Sequence, residues 1–299
     1  MNRQAHDLNL KSRRDARERG FTLIELIVTI TLTVIIAGIS TYLISGPVRA
    51  YTDQARRSEL VAAADSALLN VARDVRRALP NSTRVATTAS TAALEMLSSV
   101  DAVRYRASGA LGAPALELDF TTPDGGFSTL GKFTHVAHPF TSTARYLSVY
   151  NIGIAGADAY ELANVMTPAG TTISITDGSN AGEDVVTMSP GFKFAYGSPA
   201  KRVYLVDSPI TYLCDLTEAT LRRFSGYSVA SSQSARDTAS ELTAAGAQNA
   251  LLARNVTACA FTYAPGTSQR AGLVTATLTL SKAGELVRLL HQVHVENAP

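Results

Sequence analysis

Between Phe21 and Ile44 the chain reads FTLIELIVTITLTVIIAGISTYLI, 24 residues that carry a single charge, Glu25. As a helix this run spans about 36 Å, enough to cross a hydrocarbon core of about 30 Å with some tilt. Six Lys or Arg residues precede it, and Arg49, Arg56 and Arg57 follow it within twenty residues. The positive-inside rule therefore keeps the N-terminus cytoplasmic and sends the C-terminal body across the membrane. A cleaved secretory signal fits less well, because its apolar stretch is shorter and Ala37-Gly38-Ile39-Ser40 is a poor cleavage motif. A buried core helix fits less well still, because the run is apolar on every face.

A plain membrane anchor leaves Glu25 unexplained. An acid in the bilayer costs on the order of 2.5–3.5 kcal/mol even on the lenient scale. Lateral assembly would give it a partner. A shallow position, about 6 Å along the helix from Phe21, would instead let it reach the headgroups.

The segment Arg19-Gly20-Phe21-Thr22-Leu23-Ile24-Glu25-Leu26 resembles the processing site of type IV prepilins. The resemblance implies that a membrane aspartyl peptidase cuts after Gly20 and methylates the new amine on Phe21. It also implies that Glu25 serves assembly by pairing with a neighbouring subunit's N-terminal amine. The physical reading agrees: Gly20 has no side chain to hinder a protease at the backbone. Wider resemblance, to minor pilins of the mannose-sensitive haemagglutinin (MSHA) pilus, lies in Tyr51–Asn81, Leu94–Arg106, Val203–Asp215 and Arg270–Pro299. It implies a non-catalytic subunit that works with the prepilin peptidase, other major and minor pilins, and an inner-membrane assembly platform. The implied location is the bacterial inner membrane and then the pilus. Pseudopilins of type II secretion share this N-terminus and are the close alternative.

Charge placement supports a removable leader. Residues 1–20 carry six basic and three acidic side chains, net +3, while the remainder carries 21 basic and 22 acidic ones, net −1. A nearly neutral body argues against nucleic acid as a partner, and hence against a DNA-uptake role. The domain plan is a leader at 1–20, a transmembrane helix half at 21–44, an amphipathic helix half at 45–83 and a β-rich body at 84–299.

Pro47 predicts a helix kink or local melting near Ser45. Beyond it Leu60, Ala64, Ala67, Val71, Val75 and Ala78 form an apolar stripe at helical spacing, with Arg73, Asp74, Arg76 and Arg77 off it; Arg73, Arg76 and Arg77 share a face that reads as solvated. Pro80-Asn81-Ser82 ends the helix. Short strands are then predicted at 94–100, 102–106, 115–120, 145–150, 171–175, 184–188, 191–196, 203–207, 210–216, 221–227, 258–263, 273–280 and 286–295. Turn signals at Pro123-Asp124-Gly125-Gly126, Asp177-Gly178-Ser179-Asn180 and Ala264-Pro265-Gly266 separate some of them. Residues 230–250 read as a mobile loop or short helix. The fold class is α+β, one long N-terminal helix packed on an antiparallel sheet domain.

Export to an oxidising compartment predicts a Cys214–Cys259 disulfide. Two cysteines alone cannot make a Cys₄ zinc site or hold an iron–sulfur cluster. His135/His138 and His291/His294 are three apart, which in a strand points the rings to opposite faces, so no metal site is expected. The 177–180 turn lacks the calcium-loop series, and a hairpin is the better reading. No serine sits in a Gly-x-Ser-x-Gly elbow. The expectation is a protein with no cofactor and no catalytic residues. A membrane-tethered hydrolase or binding module is the alternative from another class.

Overall fold

The computed structural model describes residues 20–107, 117–266 and 270–295. Residues 1–19 of the leader expected at 1–20, the start of the strand expected at 115–120, and residues 296–299 lie outside the described residues. The chain forms two compact units, 1–54 and 55–299. Helix α1 spans Leu23–Arg76, its first part in one unit and its last part in the other.

In the first unit every residue from Gly20 to Gln54 is exposed. An apolar helix with none of its membrane-length window buried is not the core helix of its own domain. Its hydroxyls turn inward on the helix itself. Thr29 donates to the Leu26 carbonyl at 2.9 Å, Thr31 to Ile27 and Val28 at 2.9 Å, Thr33 to Thr29 at 2.6 Å and Thr41 to Ala37 at 2.8 Å. Such back-bonding satisfies polar groups where no water reaches them. The melting expected near Ser45 does not occur: the helix continues through Pro47. One lost amide does not end a long helix that is already propagating on both sides.

In the second unit α1 becomes amphipathic. Leu60, Ala64, Ala67, Leu68, Val71, Ala72 and Val75 are buried at three- and four-residue spacings. The helix stops at Arg76, ahead of the expected Pro80. Its last turn tightens through Arg77 N to Asp74 O at 3.0 Å, and Leu79 N then bonds Leu97 O at 2.8 Å, so the sheet takes over the backbone.

The largest sheet has the order β1 (Arg84–Thr87), β2 (Thr91–Arg104), β8 (Arg202–Asp215), β9 (Thr220–Ser225), β10 (Gln248–Arg254), with β5 (Tyr146–Ser148) also beside β8. A three-stranded sheet follows the order β11 (Val256–Ala264), β12 (Gly272–Lys282), β13 (Glu285–Val295). A four-stranded sheet has the order β3 (Asp124–Ser128), β7 (Asp184–Phe192), β6 (Thr172–Asp177), β4 (Phe140–Ser142). Every strand pairing is antiparallel. A long apolar helix followed by an antiparallel sheet domain is consistent with a type IV pilin-like α+β fold.

One core joins the buried face of α1 to Leu94 and Met96 of β2, Tyr212 of β8, and Phe261 and Leu278 of the three-stranded sheet. A second joins Val103, Val203 and Leu205, at the other end of β2 and β8, to Phe127, Ile173, Ile175 and Val186 of the four-stranded sheet. Strands β2 and β8 thus serve both cores.

Several expected strands merge. Segments 94–100 and 102–106 become β2, and 203–207 and 210–216 become β8. Their pairing steps through register shifts between Leu97 and Asp101, beside the Leu97–Pro209 pair. Proline has no amide to give the ladder, and a bulge carries the strand past it. Segment 191–196 contributes only its start, to β7, and 117–120 is not a strand. Strands β1, β3, β4 and β10 were not expected. Residues 230–250 hold a short helix, α2 (Ala239–Ala244), opened by a Thr238/Glu241 capping box.

Candidate functional site

Helix α1 starts at a side-chain cap. Thr22 Oγ1 accepts from Glu25 N at 3.3 Å, and the Thr22 carbonyl accepts from Leu26 N at 3.1 Å. Thr22 is therefore the N-cap, and Glu25 is the third helical residue, where unpaired amides give the helix end a partial positive charge. Sequence reasoning missed the role of Thr22, although the Thr-x-x-Glu spacing signals it. Gly20 and Phe21 precede the cap and are exposed. A Cβ built on Gly20 meets nothing within 4 Å. The fold itself makes no demand for glycine there, so a demand would come from an outside molecule approaching the backbone.

The described part of this segment thus presents an accessible Gly20–Phe21 bond, a capped helix start, an acid in the first turn and an unburied apolar helix behind it. Residues 15–41 match the family described as the prokaryotic N-terminal methylation motif. The motif is that of type IV pilin-like proteins, and it implies processing by a prepilin peptidase and assembly with other pilins. Helix and motif together fit membrane anchoring. No curated protein and no solved structure matches the chain.

In the body, Asp74 does not share the exposure of the arginines around it. Arg73, Arg76 and Arg77 are exposed, but Asp74 is buried. Its Oδ2 accepts from Tyr212 Oη at 2.7 Å and from Arg223 Nε at 2.6 Å. Burial pushes the Tyr212 phenol well above its usual range, and the Asp74 carboxylate adds to the rise. Burial works against the Arg223 charge, but the bond and attraction to Asp74, with a contribution from Tyr212, together outweigh it and raise that group.

A second buried acid, Glu95 on β2, binds Arg84 Nε at 2.8 Å and Tyr227 Oη at 3.0 Å. Burial raises the Glu95 carboxyl, and Arg84 opposes the rise. Arg84 also donates to the carbonyls of Ser231 and Ala230, both at 2.8 Å, and lies 3.5 Å over the Tyr160 ring. These bonds fix the start of β1 against the segment after β9.

Cys214 and Cys259 are disulfide-bonded, with Cα atoms 6.6 Å apart. The bond does not link neighbours within one sheet. It ties β8 of the largest sheet to β11 of the three-stranded sheet, and both residues contribute to the core under α1.

The strand geometry assumed for the two histidine spacings holds for only one of them. His135 and His138 lie in the loop between β3 and β4, where strand alternation does not apply. Asp101 Oδ2 lies 3.2 Å from His135 Nδ1 and also accepts the backbone amides of Thr134 and His135, at 2.6 and 2.9 Å. Burial alone would raise the Asp101 carboxyl, but these bonds and that of Ala102 hold it below its usual value. His138 instead binds Asp184. His291 and His294 lie three apart on β13, as expected.

Proposed function

We propose that this chain is a minor pilin: made with a leader, cut after Gly20, methylated on Phe21, and held in the inner membrane by residues 21–44 with its body outside the cytoplasm. In assembly Glu25 pairs with the N-terminal amine of a neighbouring subunit. A charge-assisted bond formed in an apolar environment suits a first-turn acid at the start of a helix whose flanks seek apolar contact. The observation that carries this reading is the conjunction of the methylation motif at 15–41 with an apolar helix that its own chain leaves unburied. The MSHA pilus, and a subunit of the MshO type, is the finer reading. It is supported by the resemblance in Tyr51–Asn81, Leu94–Arg106, Val203–Asp215 and Arg270–Pro299. The role is assembly, priming or the filament tip, not catalysis.

The test is mass spectrometry of the membrane-extracted chain. The expected N-terminus is methylated Phe21. Gly20→Val should leave the unprocessed precursor, and because a side chain at Gly20 meets nothing in the fold, that failure would reflect peptidase recognition. Normal maturation of this variant would overturn the assignment. Co-purification with pilus or with secretion-system subunits separates the minor pilin from the pseudopilin reading.

A further inference from the structure

Two acids close the β6–β7 hairpin. Asp177 is the last residue of β6, Asp184 is the first of β7, and the two are register partners. Directly opposite residues of an antiparallel pair share a face, and like charges placed so are destabilising. Asp184 is fully buried. Its Oδ2 accepts from Phe133 N at 2.8 Å and lies 2.9 Å from His138 Nε2. Its Oδ1 has no hydrogen-bond partner. A buried carboxylate oxygen without a donor is costly, and a cation is one of the few groups that relieve it.

His138, Asp177 and Asp184 each bring a ligand atom within 4.8 Å of the other two. Ligands bonded tetrahedrally to zinc at about 2.0–2.2 Å sit about 3.4 Å apart, so small side-chain rotations close the set. The cluster also has a way in, since Asp177 is exposed and His138 half-buried. Lys132 Nζ lies 2.5 Å from Asp177 Oδ1, and both side chains are largely in solvent. A lysine on a flexible stem can swing away and yield its place to a metal ion.

We propose that His138, Asp177 and Asp184 form a binding site for a divalent transition-metal cation, with zinc(II) the ion that fits. The imidazole distinguishes zinc from calcium and magnesium, which prefer oxygen ligands. Three protein ligands leave a fourth position for water. The bound ion braces the β6–β7 hairpin against the loop that carries His138, and Lys132 competes with it for Asp177.

The test uses the full-length chain in detergent, without a polyhistidine tag, dialysed against zinc and analysed for bound metal. One zinc per chain is expected, with a rise in thermal midpoint on zinc addition. His138→Gln and Asp177→Asn should each weaken binding by about tenfold or more. Lys132→Met should tighten it severalfold by removing the competing ammonium. Calcium should bind far more weakly in the same assay. Asp177 is exposed, so its variant keeps the test valid even if the His138 variant folds poorly. The proposal is overturned if the wild-type chain binds no stoichiometric zinc. Equal zinc retention by both ligand variants also overturns it, since the ion would then sit elsewhere, for example on His291 or His294. An unchanged affinity in Lys132→Met would remove the competition and the site geometry with it.

Discussion

Replacing Asp74 by alanine probes the contact that pins the last turns of α1 to the sheet. The carboxylate takes bonds from Tyr212 Oη at 2.7 Å and Arg223 Nε at 2.6 Å. Without it, a phenol on a fully buried tyrosine loses its acceptor, at about 1–2 kcal/mol. A fully buried stranded cation would cost about 3–5 kcal/mol. The Arg223 side chain is 28% exposed, so water compensates it in part and about 1–2 kcal/mol is the fitting share. The total is about 2–4 kcal/mol, or a fall of about 6–12 °C in thermal midpoint for a unit of this size. Circular dichroism on the detergent-solubilised chain measures it. Tyr212→Phe alone should cost about 1 kcal/mol. In the Asp74→Ala background it should cost nothing or stabilise, because it removes an orphaned hydroxyl. The reasoning fails if Asp74→Ala lies within 1 kcal/mol of the wild type, or if Tyr212→Phe costs the same in both backgrounds.

Glu25→Gln keeps the Thr22 cap, which uses the backbone of residue 25, but loses the charge. It should be processed and inserted normally yet fail to co-purify with partner pilins; normal association would make Glu25 a tolerated shallow acid, and failed insertion would point to targeting. Replacing Cys214 and Cys259 by alanine opens a loop with a sequence separation of 45, and denaturant titration should show a loss of about 4 kcal/mol on the chain-entropy account. A loss below 1 kcal/mol would mean that packing, not the cross-link, holds the two sheets together. Glu95 has a folded pKa raised above 4.5, chiefly by burial. Its contribution to stability is therefore fully present below pH 4.5 and is lost as pH rises through the folded value. Urea midpoints should accordingly fall with pH faster in the wild type than in Glu95→Gln above pH 4.5, and parallel curves would contradict the assignment.

The membrane-length run, the processing segment, the amphipathic stripe of α1 and the α+β class were all legible, because each depends on short-range periodicity. What escaped depended on partners far along the chain. Asp74 reads only as a residue off the apolar stripe; its partner Arg223, 149 residues later, meets it inside the fold. The pair Gly125-Gly126 reads as a turn, yet Gly126 lies in β3 opposite Thr187. A Cβ there would fall 2.8 Å from the Val186 carbonyl, so that glycine answers a close backbone approach and not a reversal of direction. Pro209 falls between the strands expected at 203–207 and 210–216, but a bulge lets β8 continue past it. The His138 cluster was hidden for the same reason: its acids lie 39 and 46 residues away, and the three-residue histidine spacing was tested for a strand where the chain forms a loop.

The inward-turned threonines of α1 have a consequence for how the segment can travel. Because Thr29, Thr31, Thr33 and Thr41 take their acceptors from their own helix, they arrive at any surroundings already satisfied. Exchanging lipid tails for the flanks of neighbouring helices, or the reverse, breaks none of those bonds. If the chain assembles as proposed, such a segment would be a reversible passenger, held in either place only by apolar contact and close fit. A carboxylate cannot be neutralised by the carbonyls of its own helix, so on the proposed minor-pilin reading Glu25 would supply what the hydroxyls do not: a reason to stop at one particular depth beside one particular neighbour.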